Sequence, residues 1–386
     1  MRRRHSGFHT TWENVPSMTV AEPPAVSGLT AIDPFADVRA VVQPGEQRRL
    51  IPAAAEGFRQ WFASTGTPDY VGTFELSTLP YPTKFGLWRA ALSPAPFLTL
   101  THRMIIVRWH EPDGKARTLL FEPTDTELAR RTPYFARLSE QTPDVFERLF
   151  ARPLGDVMGH LRRTGIDPAS VDWITFDHLH TQDVRRWVGT TAPAPDISAA
   201  SPVQPLLPNA KLIVQRRELD SLRSLHPLQL PWYQPQAYTD LRGDGILAVD
   251  GDVLLGPGVA LIATPGHTIG NHTLVLNTSA GIWASSENVI AAECLTPEHS
   301  RIPGVRRFVR QWAQEIVLNA NTLEDTAAQY NSCVLEKSIA DRSALDSRFV
   351  QFFPSSELTR NSLSPGTSPT FTHLGIFHGT LTTRPA

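Results

Sequence analysis

The sequence predicts an α+β protein, a sandwich of two β-sheets with helices on its outer faces. Strand-like clusters are followed by helix-like segments, and this order occurs twice along the 386 residues. The strand segments are short apolar or alternating runs bounded by turn residues, whereas the helical ones carry apolar residues at helical spacing. A hydrophobic content of 41% is enough to bury a large core.

Residues 1–43 are rich in Pro, Ser, Ala and Thr without sustained periodicity, and read as a flexible or wrapping extension. Residues 44–386 then form one domain. A helix is expected from Ile51 through Phe62, and a strand over Tyr70–Leu76. Leu98–Trp109 and Ala116–Phe121 flank the turn Glu111-Pro112-Asp113-Gly114 as a β-hairpin. Thr124 to about Thr164 is a set of short helices broken by Pro133, Pro143 and Pro153, with Phe146 among the apolar positions. Val171–Phe176 is a buried strand that runs into His178, and Lys211–Gln215 is a strand followed by a helix over Arg217–Leu225. Val259–Ala263, Thr273–Asn277 and Gly281–Ser285 are strands, and helices are expected over Val305–Asn321 and near Asp325–Asp341.

A net charge of −2 gives no broad attraction for nucleic acid or anionic lipid, so neither is an expected partner. Two cysteines, Cys294 and Cys333, do not make a disulfide framework or a Cys-rich zinc module. No apolar run approaches the roughly 18–20 residues of a membrane span, and no signal-peptide core follows Met1. A cytoplasmic location is the expectation, with a small molecule as substrate; oligomeric state is not legible.

The chemistry concentrates in two segments, His178-Leu179-His180-Thr181-Gln182-Asp183 and Thr264-Pro265-Gly266-His267-Thr268. Two histidines at i and i+2 past a strand end share a face and converge on one cation. His267 follows a glycine that permits an unusual backbone and close approach. Three neutral imidazoles with a water in fourth position are a known zinc set, which lowers the water pKa to about 7.

These segments, with Gly165-Ile166-Asp167-Pro168, Pro208-Asn209-Ala210-Lys211 and Arg217-Glu218, resemble the metallo-β-lactamase superfamily over about residues 95–360. The resemblance implies a four-layer αβ/βα sandwich holding one or two metal ions, zinc first and iron or manganese as alternatives. It implies hydrolysis of an ester, lactone, thioester, amide or phosphoester. His178, His180 and His267 match the first metal's ligands, and Glu287 stands where a bridging Asp is usual. Three positions depart from the pattern. Gln182 replaces a metal-binding Asp, and a neutral amide is a weak ligand; Asp183 replaces a His; and Ser356 takes the place of another His, for which His373 is a candidate substitute. Asp183 and Glu287 are then the expected catalytic carboxylates, which orient or deprotonate water, and both are candidate ligands.

Each assignment has a plainer rival. Asp183 would serve as a cap for Val184–Trp187, Glu287 as half of a buried ion pair, and His272 as a structural group. Trp232, Tyr233 and Tyr238 are a substrate wall or core packing. Two other functions fit the pattern: a mononuclear iron oxygenase using His178, His267 and Glu287, and a catalytically degenerate scaffold.

Overall fold

A computed structural model of the chain describes residues 29–141, 149–320 and 325–381. In chain order the strands are β1 (Thr30–Ile32), β2 (Tyr70–Pro82), β3 (Phe97–His110), β4 (Ala116–Phe121), β5 (Trp173–Thr175), β6 (Pro193–Ala194), β7 (Ser198–Pro202) and β8 (Lys211–Gln215). They continue as β9 (Ile246–Val249), β10 (Asp252–Gly256), β11 (Val259–Ala263), β12 (His272–Thr278), β13 (Gly281–Ser285), β14 (Ser356–Thr359) and β15 (His378–Gly379). One sheet has the order β1-β10-β11-β12-β13 and is antiparallel throughout. The other runs β15-β2-β3-β4-β5-β8-β9, with β14 also paired to β3. Its members β4, β5, β8 and β9 are parallel, as crossover connections require.

The period of two along the strands explains the layers. Ile105, Val107 and Trp109 of β3 meet Val259 and Leu261 of β11 in a core between the sheets. Their chain neighbours Met104, Ile106, Ala260 and Ile262 face the other way and join the core that also holds the helical Phe58, Phe62 and Leu161. Outside the antiparallel sheet, helix Pro44–Ser64 packs on helix Thr326–Ile339. Helix Arg216–Ser221 covers β8 and β9 of the other sheet. The expected αβ/βα sandwich is present.

Of the flexible or wrapping extension, residues 30–40 lie along the fold: β1 adds an edge strand to β10, and Arg39 pairs with Asp252 at 2.6 Å. Several expected bounds differ. The helix from Val305 stops at Trp312, because Ala313 turns into the left-handed region (φ 49°). Ile316 and Val317 are therefore buried from an irregular segment, which bonds through Val317 N–H to Cys294 O at 2.9 Å. β2 runs six residues beyond the expected end at Leu76, past a register shift between Glu75 and Ser77. The hairpin β3–β4 lies within one residue of its expected bounds, and β8, β11 and β13 match theirs. The expectations for Phe146 and for the segment near Asn321 fall outside the described residues.

Candidate metal centre

Parallel strands β4 and β5 end side by side, and the chain beyond each end supplies polar groups at the open edge of the sheet. Glu122 and Thr124 follow β4, and Asp177 to Gln182 follow β5. Asp177 N–H donates to Glu122 Oε1 at 2.6 Å, which ties the two ends together. From the opposite sheet comes the β11–β12 connection, Thr264–Asn271, closed by Thr264 N–H to Asn271 O at 2.9 Å. Gly266 sits there at φ 137°, and a Cβ on it would lie 2.2 Å from the backbone N of Gln329. Only glycine lets the helix Thr326–Ile339 come this close.

Glu218 joins the two histidine segments. It is fully buried and accepts from Leu179 N–H (3.0 Å), Thr268 Oγ1 (2.7 Å), Gly270 N–H (3.1 Å) and Tyr233 OH (2.7 Å). Tyr238 OH donates to Leu179 O and Gln182 O, which pins the first segment from another side. Between His180 and Gln182 the β-branched Thr181 is held at φ 62°, its N–H bonded to Trp232 O at 2.7 Å. A strained backbone of this kind persists only where surroundings fix it, and such residues gather at functional sites.

The result is a cluster in which His178, His180 and His267 each offer a ring nitrogen within 4.8 Å of the other two. All three are buried. Each ring also has a nitrogen held by a protein acceptor: His178 Nδ1 by Asp177, His180 Nε2 by Gln229 Oε1, and His267 Nδ1 by Asn319 O at 2.9 Å. Such partners fix the tautomer and aim of a metal-binding imidazole. Asp177 is a hub, since it accepts from Ser355 Oγ (2.8 Å) as well as from His178. Burial alone would raise its carboxyl, but the facing His178 outweighs this and holds it below its ordinary value. Burial opposes charge on His178, yet Asp177 lifts that ring to about 9. Burial, and then the charge of His178, push His180 down and His267 to about 3.

A second group comprises Asp177, His178 and Glu287, with ligand atoms likewise within 4.8 Å of one another. Glu287 is partly exposed to the cavity. Burial, against the pull of His178, raises its carboxyl to about 7.

The neighbouring positions are arranged differently. Gln182 Oε1 accepts from Thr124 Oγ1 at 2.9 Å, and its Nε2 reaches Glu122 Oε2 at 3.5 Å. Asp183 joins neither converging group. Its carboxylate pairs with buried Arg185 at 2.6 Å and accepts Arg185 N–H at 3.1 Å, at the start of helix Arg185–Val188. A buried guanidinium needs a counter-charge, and Asp183 supplies it; Asp196, also at 2.7 Å, shares the task. Of the expected ligands and catalytic carboxylates, Asp183 is thus the one whose side chain the structure places on Arg185 and outside both converging groups. His373 lies elsewhere, between the rings of Trp283 and Phe371, with Nε2–H donating to Val350 O at 2.8 Å. His272 points away, its Nε2 bonded to Thr175 Oγ1 at 2.9 Å.

Beside Ser356 the structure places an imidazole that sequence reasoning missed. Ser356 pairs with His102 across β14 and β3, and Ser356 Oγ lies 3.0 Å from His102 Nδ1. His102 Nε2 lies 2.7 Å from Thr124 Oγ1. Burial lowers this ring to about 4 against the pull of Asp177, so it is neutral. No local spacing marks His102, because its neighbour comes from 254 residues further along the chain. Glu122 and Gln229 went unnoticed for the same reason, whereas Asp177, adjacent to His178, lay beside the motif and was not singled out.

His178, His180, His267 and Glu287, with Gln182, Thr124, His102 and Ser356, open on one cavity of about 660 Å³. Leu79, Tyr81, Phe97, Phe135, Phe150 and Trp232 give it an apolar wall. Trp232 stacks on Tyr134 at 4.2 Å and stands 6.1 Å from His180, so of the aromatic trio it alone lines the cavity. Tyr233 and Tyr238 are buried braces.

No protein-family model matches the sequence, and no curated protein matches it. Among solved structures the chain is similar to AidC, a dizinc quorum-quenching lactonase, at 12% identity and a TM-score of 0.45, over 78% of this chain and 95% of that one. It is similar to the hydrolase AbOPH of the β-lactamase superfamily at 13% identity and a TM-score of 0.42, over 82% and 96%. A quorum-quenching N-acyl homoserine lactone lactonase is similar at 16% identity and a TM-score of 0.41, over 64% and 88%. Likenesses this distant assign no chemistry, which rests on the side chains themselves.

Proposed function

We propose that this chain is a metal-dependent hydrolase of a small apolar ester, lactone or thioester. The observation that carries the reading is the convergence of His178, His180 and His267, each braced by a protein acceptor, at the floor of an apolar cavity. Three nitrogen donors with a braced second shell suit zinc, and the fit rests on that donor set. When bound, such an ion supplies Lewis acidity and a water acidic enough to be a nucleophile at neutral pH.

The chain's own residues do the remaining work. Asp177 holds His178 at Nδ1 and so fixes which ring nitrogen faces the cluster. Glu287, which faces the cavity beside His178, is the carboxyl placed to exchange a proton with water or leaving group. The wall around Trp232 and Phe135 excludes water and holds the apolar part of the substrate. Three convergent histidines favour this reading over an iron oxygenase, whose two-histidine, one-carboxylate set leaves His180 without a role.

The test is metal analysis of protein purified without added metal, followed by an activity screen over lactones, thioesters and phosphodiesters. Bound zinc or manganese with chelator-sensitive hydrolysis of an uncharged ester is expected. A chain that binds no metal, with a melting temperature unmoved by zinc, would sink the reading; one bound iron with oxygen uptake would replace it with the oxygenase.

A further inference from the structure

The ground next to the three histidines is built from groups that satisfy one another. Thr124 donates to Gln182 Oε1, so its oxygen is left to accept from His102 Nε2–H. His102 Nδ1 is then the acceptor for Ser356 Oγ–H. Both nitrogens of His102 are thereby used, and both ends of the Gln182 amide are engaged. A cation here would need lone pairs from at least three groups, preferably anionic. The chain offers an amide, two hydroxyls, an imidazole whose lone pair is already bonded, and the Glu122 carboxyl, which is engaged by Asp177 N–H and Gln182 Nε2. Asp183, one side chain at this end of the motif able to supply charge, is turned to Arg185. Among the described residues, no group of three His, Cys, Asp or Glu side chains that includes His102, Glu122 or Asp183 converges within ligand distance.

We propose that this site is built for one metal ion, and that the hydrogen-bonded chain Gln182–Thr124–His102–Ser356 occupies the place of a second with uncharged groups. The inference rests on the proposed metal-dependent reading and narrows it. It also assigns a role to His102, which positions Ser356 and Thr124 at the cavity floor rather than holding a metal. That side of the ion is hydrogen-bonding and adds no positive charge, and with the Glu287 carboxyl on the same cavity it suits an uncharged acyl group better than a phosphodiester.

The deciding experiment is calorimetric titration of the chelator-stripped full chain with zinc alone, with metal analysis of the dialysed product. One tight equivalent is expected, unchanged in His102→Ala. In the double variant Gln182→Asp with Ser356→His, which supplies a carboxylate and an imidazole, a second equivalent should appear. Two tight equivalents in the unaltered chain would overturn this inference and leave the metal-dependent reading intact; a fall to one in His102→Ala would further make His102 a ligand. No tight equivalent in the unaltered chain would overturn both. Because the unaltered chain alone separates these results, misfolding of a variant does not blunt the test.

Discussion

Two halves of one cavity floor, a few ångströms apart, solve the problem of buried polar groups in opposite ways. On the histidine half, His178, His180 and His267 crowd ring nitrogens together while protein acceptors hold each ring from behind. On the other half, Gln182, Thr124, His102 and Ser356 pair donor with acceptor in sequence. The first arrangement gathers possible ligand atoms at one point; the second spends its donors and acceptors on one another. That contrast is the ground for proposing an ion at the first and none at the second.

The contrast breaks most visibly at the histidines. His267→Ala should abolish tight zinc binding and hydrolysis together, and a variant that keeps its metal content would show the ligand set to be wrong. Next in size is Asp183→Asn, which leaves buried Arg185 with Asp196 alone. A stability loss of about 3 kcal/mol in denaturant melts is expected, with metal content unchanged; loss of metal at full stability would restore Asp183 as a ligand. Asp177→Asn should be gentler, because the His178 contact survives without its charge. Its zinc affinity should fall about 10–100-fold, and an unchanged affinity would mean that Asp177 does not tune the site.

The smallest expected effect concerns Glu336, behind the centre, which accepts from Thr273, Ser286 and Asn288. Burial, ahead of these bonds, raises its carboxyl from an ordinary 4.5 to about 7. The folded chain therefore keeps a proton that the unfolded chain releases near 4.5. This contribution to stability is greatest below that value and is lost as pH rises through about 7. Glu336→Gln should flatten the fall in melting temperature between pH 5 and 8; an identical slope would show that Glu336 does not titrate there.

Local pattern was enough for the strands near the centre. The turn at Asp113-Gly114 and the apolar run Val259–Ala263 marked strands without any partner, while the faces of β3 and β11 came from the packing of the sheets. It was also enough for the three histidines, because a strand end and a glycine turn each leave a mark in a few consecutive residues. It misjudged the helix after Val305, where apolar residues at helical spacing continue past the left-handed Ala313 and pack without a helix. Periodicity records which side chains are buried, not which backbone buries them.

What the sequence by itself determined is the identity and placement of His178, His180, His267 and Glu287 at the ends of strand segments. What only the tertiary structure decided is the company they keep. Asp183 turned to Arg185 two residues away, where the motif left metal ligand and helix cap both open. His102 reached Ser356 through the pairing of β3 with β14, across 254 residues of chain. Long-range register, not local spacing, sets which donors meet which acceptors, and that meeting distinguishes a place for an ion from one that needs none.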